Sequence, residues 1–207
     1  CIGCQACTAA CKTGNELPDG VQYIHLIEQT RGVFPDLQGG FQNHRCYHCA
    51  DAACVAVCPA GALYKQEGMT RLDRAKCTGC TYCVDACPFD VPVMVEGLAS
   101  KCDGCAAVTA AGGAPWCVKT CPSHALMYGE RGAILAEAQR RVETIKARYP
   151  NARVYGETEA GGLGVIMVLP DDPAVLDLPT DPAPPLTVNA WQKVVQPATL
   201  GLTGLGI

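Results

Sequence analysis

Apolar and polar positions alternate over residues 21–27, with Val21, Tyr23 and Ile24 among the apolar ones, and this near-period of two predicts a strand. Gly32, Pro35, Gly39 and Gly40 follow, which predicts a surface loop. Residues 62–65 and 69–72 flank a Gln66-Glu67-Gly68 turn and read as a β-hairpin. A short strand is expected at 125–128 and another at 165–169. The one long helical pattern covers 133–149, where Ile134, Ala138, Val142, Ile145 and Tyr149 fall on a single stripe suited to packing on a core. Short strands, one long helix and abundant turn residues place the chain in the α+β class.

Beyond residue 169 the pattern changes. Six prolines occur in residues 170–187, which predicts an extended arm lying on a partner, with a flexible linker as the alternative. From 194 to 207 there is no charged residue, and Trp191 and Lys193 stand just before that stretch, as anchors do at a membrane interface. Fourteen helical residues reach only about 21 Å, whereas a span needs about 20 residues. The segment is therefore expected to be the start of a membrane anchor continuing past Ile207, or else an apolar tail docked on another subunit. Cys1 already lies inside a motif, so the true N-terminus is expected upstream.

Composition sharpens the problem of stability. The chain has 207 residues, of which 49% are hydrophobic with cysteine counted, only 6% are aromatic, 22 are glycine and 15 are proline. So thin an apolar core needs another source of cohesion. Sixteen cysteines supply a candidate, because metal ligation converts binding free energy into folding free energy. The metal-free chain is expected to fold poorly. Net charge is −4 with every thiol neutral, and cluster binding would make it more negative, which excludes nucleic acid as a natural partner.

The sixteen cysteines fall into four runs of four. Run I is Cys1, Cys4, Cys7 and Cys11, spaced C-x2-C-x2-C-x3-C, and run III repeats it as Cys77, Cys80, Cys83 and Cys87 before Pro88. Run II is Cys46, Cys49, Cys54 and Cys58 before Pro59, with one gap stretched to four residues. Run IV is Cys102, Cys105, Cys117 and Cys121 before Pro122, with eleven residues between its second and third thiols. Such a loop wraps three thiolates around one face of an iron-sulfur cubane, and the fourth cysteine, expected to start a helix pointing away, ligates the other cluster of a pair. A disulfide framework gives no reason for four copies of one register, and structural zinc uses paired C-x2-C knuckles set further apart. Cys46-Tyr47-His48 and Cys121-Pro122-Ser123-His124 each look like half of a Rieske ligand set, but their cysteines already belong to complete runs, so His48 and His124 are read as hydrogen-bonding or surface residues.

Runs II and III with the hairpin between them match a bacterial two-cluster ferredoxin, which makes 46–88 an inner ferredoxin-like module inserted in an outer one. The outer module comprises 1–45 plus 89–132 and carries runs I and IV. Residues 133–169 follow as a helix and strand packing on the core, then the proline-rich arm of 170–193 and the apolar segment of 194–207. Lys101 and Lys119 sit beside cysteines and read as solvated lysines, or as charges that raise a cluster potential or meet a partner.

The four runs in this order, with the wide gap in run IV and the ending Cys117-Val118-Lys119-Thr120-Cys121-Pro122, resemble the iron-sulfur (beta) subunit of the molybdopterin oxidoreductases. The tail, through Val154-Tyr155-Gly156, Gly161-Gly162 and the stretch to Trp191 and Pro197, is most similar to that of membrane-bound respiratory formate dehydrogenase. The resemblance implies four 4Fe-4S clusters, one held by Cys1, Cys4, Cys7 and Cys121 and a second by Cys102, Cys105, Cys117 and Cys11. A third would be held by Cys46, Cys49, Cys54 and Cys87, and a fourth by Cys77, Cys80, Cys83 and Cys58. Relatives in respiratory nitrate reductases carry tryptophan in place of the second cysteine of run III, but Cys80 is present here.

The implied role is electron transfer, without catalysis by the chain itself, between a molybdenum or tungsten pterin subunit and a membrane cytochrome b with quinone. A C-terminal helix would hold the complex at the outer, periplasmic face, with the cytoplasmic face left open. Polysulfide, tetrathionate and dimethyl sulfoxide reductases and some hydrogenases share the cysteine pattern, and a free polyferredoxin is the remaining alternative.

Overall fold

The computed structural model describes residues 1–183. Helix α1 (Ala6–Gly14) is followed by an antiparallel hairpin of β1 (His25–Arg31) and β2 (Gln38–His44), in register from His25 opposite His44 to Arg31 opposite Gln38. One turn of helix, α2 (Ala53–Ala56), leads to a hairpin of β3 (Leu63–Gln66) and β4 (Met69–Leu72) closed by Glu67-Gly68. After α3 (Tyr82–Asp85) comes the hairpin of β5 (Val93–Val95) and β6 (Leu98–Ser100). Helices α4 (Ala106–Ala110) and α5 (Trp116–Lys119) precede the long α6 (Arg131–Ile145). Strands β7 (Arg153–Tyr155) and β8 (Met167–Leu169) form a fourth hairpin. The described strands thus make four separate two-stranded sheets, each too small to be stable alone, and cohesion must come from what they enclose.

The hairpin expected around Glu67-Gly68 forms, the strand expected at 165–169 is confined to Met167–Leu169, and the long helix starts two residues earlier, at Arg131, and ends four residues short of Tyr149, at Ile145. Other expectations are corrected. The strand of 21–27 is shifted to His25–Arg31, and the supposed loop around Gly39 and Gly40 is β2, because cross-strand pairing overrides the weak strand preference of glycine. The β5–β6 hairpin was unforeseen; its two-residue Glu96-Gly97 turn, with both residues at positive φ, suits a tight hairpin. Residues 125–128 form no strand, and each described strand is already paired within its own two-stranded sheet. Nor does the fourth cysteine of a run start a helix. The third cysteine sits inside a helix in each run, and Cys58, Cys87 and Cys121 lie just past the helix end.

Helix α6 packs on β7 and β8, whose buried side chains meet Tyr47 and Phe89. Arg131 at its first turn ties this unit together, donating to the carbonyls of Leu163, Gly156 and Glu157. The largest buried cluster lies beside it and joins Tyr47, Phe89, Tyr155, Leu163, Leu169, Leu176 and Leu178. The first part of the proline-rich arm is therefore part of this core: Pro173–Leu176 makes a single 3-10 turn, and the Tyr155 hydroxyl donates to the Pro179 carbonyl at 2.7 Å. The membrane-anchor reading of 194–207 lies outside the described residues, and among those described no helix is long and apolar enough to cross a membrane.

Leu163 is 0% exposed at the centre of that cluster. Leu163→Ala is expected to cost about 2–5 kcal/mol, read as an earlier denaturant midpoint for loss of the visible absorption of the iron-loaded chain.

Candidate metal centres

The sulfur-bearing loops are shaped by backbone geometry. The residue before the second cysteine of a run has positive φ in every run: Gly3 at 68°, His48 at 52°, Gly79 at 71° and Gly104 at 73°. That left-handed residue curls the loop so that amides face sulfur, as Gly104 N–H does toward Cys102 Sγ at 3.4 Å. Gly79 is further required by close approach, because a Cβ there would meet the Gly97 carbonyl oxygen of the β5–β6 turn at 2.3 Å.

Three thiols from one run and one from another are brought together in each of two cavities. Cys46, Cys49, Cys54 and Cys87 line one, of open volume about 360 Å³, with Tyr47, Phe89, Thr70 and Lys101 in its wall. Cys77, Cys80, Cys83 and Cys58 line the other, of about 330 Å³, closed by Leu63, Met94 and Ala99. A third group joins Cys11 of the first run to the fourth run: Asn15 Nδ2 lies 3.5 Å from Cys11 Sγ and 3.9 Å from Cys105 Sγ, and α1 packs on α5, which bears Cys117. Burial, then the neighbouring Cys117 and Cys105, push the Cys11 thiol up to about 11. Cys7 is buried beside Cys117, whereas Cys1 and Cys4 are exposed and Cys121 is partly buried.

All sixteen thiols are free, with no disulfide among them. Among the described residues no three His, Cys, Asp or Glu side chains converge as a single metal ion requires. A cubane poses a different demand, since each thiolate binds a separate iron and the four sulfurs stand apart around an open volume. The two four-thiol cavities fit that demand.

Electrostatics shows what loading requires. Burial and then Cys46 push the Cys49 and Cys54 thiols up to about 12, burial and then Cys80 push Cys83 up to about 11, and burial with Cys46 pushes Cys102 up to about 12. At neutral pH these thiols are protonated, so metal must displace their protons.

Donors to sulfur come from residues far away in sequence. Arg45 Nη1 donates to Cys117 Sγ at 3.0 Å, Asn43 Nδ2 to Cys7 Sγ at 3.4 Å, and Ala99 N–H to Cys77 Sγ at 3.4 Å. Asn15 stands four residues after Cys11 at the end of α1, a helical spacing visible beforehand, but nothing near Arg45 in sequence points to Cys117. Of the flagged residues, Lys119 is exposed and lies over the Trp116 ring at 5.0 Å, and His124 is exposed. Lys101 is buried, which excludes the solvated reading, and His48 is a buried hydrogen-bonding residue whose ionisation is pushed down by burial and by Lys101 and Arg45.

The 4Fe-4S dicluster domain family matches residues 37–131, and a second 4Fe-4S dicluster family matches 1–63. The thiosulfate reductase electron transfer subunit of Salmonella typhi is 44% identical over 137 residues, covering 62% of this chain and 70% of that protein. The formate dehydrogenase iron-sulfur subunit of Haemophilus influenzae is 31% identical over 238 residues, covering 100% of this chain and 75% of that protein. The iron-sulfur subunit of the nitrate-inducible formate dehydrogenase of Escherichia coli K12 is 33% identical over 221 residues, covering 95% and 75%. The chain belongs to the family of iron-sulfur electron-transfer subunits that includes these formate dehydrogenase subunits.

Proposed function

We propose that the chain conducts electrons through four 4Fe-4S clusters between a molybdenum or tungsten pterin formate dehydrogenase subunit and a membrane cytochrome b with quinone. The observation that carries this is the grouping of thiols three-plus-one across runs in two cavities, with Asn15 bridging Cys11 and Cys105 in a third group. The proposed ligand sets are Cys46, Cys49, Cys54 with Cys87; Cys77, Cys80, Cys83 with Cys58; Cys102, Cys105, Cys117 with Cys11; and Cys1, Cys4, Cys7 with Cys121. When bound, the clusters supply one-electron chemistry. The chain itself holds, spaces and desolvates the sulfurs. The likeness to formate dehydrogenase subunits, which runs through 95–100% of the chain, supports formate as the electron source. A second reading, service to a sulfur-compound reductase with reversed flow, is favoured by the higher identity to the thiosulfate reductase subunit, although that match covers 62% of the chain. Anchoring by residues from 194 onward, at the outer face of the membrane, belongs to the same proposal.

Purification with its partners and assay of formate against thiosulfate, polysulfide and hydrogen separates the readings. Formate-dependent reduction of a quinone analogue is expected; no turnover of formate beside clear activity on another substrate retires the first reading.

The loaded chain should hold about sixteen irons. Cys87→Ala should remove the cluster of the Cys46 set and leave about twelve. Loss of the Cys77 set in that variant, with the Cys46 set intact, would instead show pairing within a run.

Cluster loading should release about one proton per cysteine at pH 7, because thiols held well above their ordinary value start protonated and end as thiolates. The sign follows: falling pH supplies the competing proton, so reconstitution should weaken steadily from pH 8 to pH 6. Proton release measured in weakly buffered anaerobic solution checks this, and loading without release contradicts it.

A further inference from the structure

Three of the four runs place glycine at the left-handed position before the second cysteine, but the second run places His48 there, at φ 52°. A side chain is disfavoured in that conformation, so a residue retained there calls for an explanation in what its side chain does. The imidazole is 2% exposed. Its Nδ1 accepts the Thr70 N–H at 3.2 Å, and an amide can donate only to an unprotonated nitrogen. The ring proton therefore sits on Nε2, which lies 3.7 Å from Cys102 Sγ.

Thr70 also holds the second group. Lys101, 3% exposed, donates from Nζ to the Thr70 carbonyl at 2.5 Å and to the Cys102 carbonyl at 2.8 Å. The same lysine lines the cavity of Cys46, Cys49, Cys54 and Cys87. Both anchors thus come from one residue of β4, and Lys65 fixes the loop from behind by donating to the Cys49 carbonyl at 2.6 Å. A neutral N–H and a buried cation meet where the second run touches the fourth.

We propose that His48 and Lys101 are positioning residues that raise the reduction potential of the 4Fe-4S cluster held through Cys102, the histidine by donating Nε2–H to that sulfur and the lysine by its buried charge. The inference rests on the ligand sets proposed above. Reduction adds negative charge to the sulfurs, and a donor or cation fixed beside them stabilises the reduced form more than the oxidised one. His48 neither gains nor loses a proton, and no bond forms or breaks at either residue.

The test is a redox titration of the loaded full-length chain followed by electron paramagnetic resonance. His48→Phe should lower one potential, shifting that reduction equilibrium about tenfold, or about 59 mV for one electron, with iron content and the other potentials unchanged. His48→Gln retains an amide donor and should restore most of the shift. Lys101→Met should lower the same potential and, because Lys101 also lines the cavity of Cys46, Cys49, Cys54 and Cys87, the potential of that cluster as well. Full loading of His48→Phe and Lys101→Met with all potentials unchanged overturns the proposal. A measurement on the unaltered chain does not depend on how the variants fold: with 15N-labelled histidine, a nitrogen should couple to a reduced cluster and the coupling should vanish in His48→Gln. Its absence from the unaltered chain overturns the proposal too. Low iron in the unaltered chain would overturn the ligand sets, a result distinct from all of these.

Discussion

Crowding buried sulfurs in fours is unfavourable until something positive sits between them. Burial and neighbouring thiols push Cys49 and Cys54 up to about 12, so the metal-free chain meets this constraint by keeping protons on sulfur. Iron meets it better, because each thiolate gains a direct bond while its charge is spread through the cluster. Four two-stranded sheets and one-turn helices have little cohesion otherwise. Among the described residues, the largest apolar cluster, around Tyr155 and Leu163, lies against the cavity of Cys46 through Tyr47, Phe89, Cys49 and Cys87. The rest of the fold depends on the sulfur groups as its centres.

Exchange of one thiol between runs ties distant pieces of chain together. Cys87 closes the cavity begun by Cys46, and Cys58 closes the one begun by Cys77, so the segment between cannot peel away without opening both. Asn15 reaches ninety residues along the chain to Cys105, and Arg45 reaches seventy-two to Cys117. These donors answer a local need, since sulfur carrying negative charge in a partly dry site gains from every N–H turned toward it.

The C-terminal unit has a different physical basis. Helix α6, the β7–β8 hairpin and the first residues of the arm pack through side chains and through Arg131, with no cysteine of their own. Leu176 and Leu178 are buried with Tyr155 although they lie among prolines, because an extended segment whose apolar side chains meet a hydrophobic surface gains more by covering it than by remaining in water.

The chemistry was legible in the sequence because cysteine spacing is local: a C-x2-C-x2-C loop prescribes its own curvature around a cluster. The hairpin at Glu67-Gly68 and the stripe from Ile134 to Ile145 were legible for the same reason, as turn type and helical period are set by neighbours within a few residues. Tertiary structure alone decided the identity of β2, since Gly39 and Gly40 become strand only when β1 supplies the hydrogen bonds. It also decided that Lys101 is buried while Lys119 is exposed, and that His48 faces Cys102, fifty-four residues away. Such pairings depend on the direction in which separate pieces of chain approach one another, and that direction is set by packing around the shared sulfurs, which no short stretch of residues encodes.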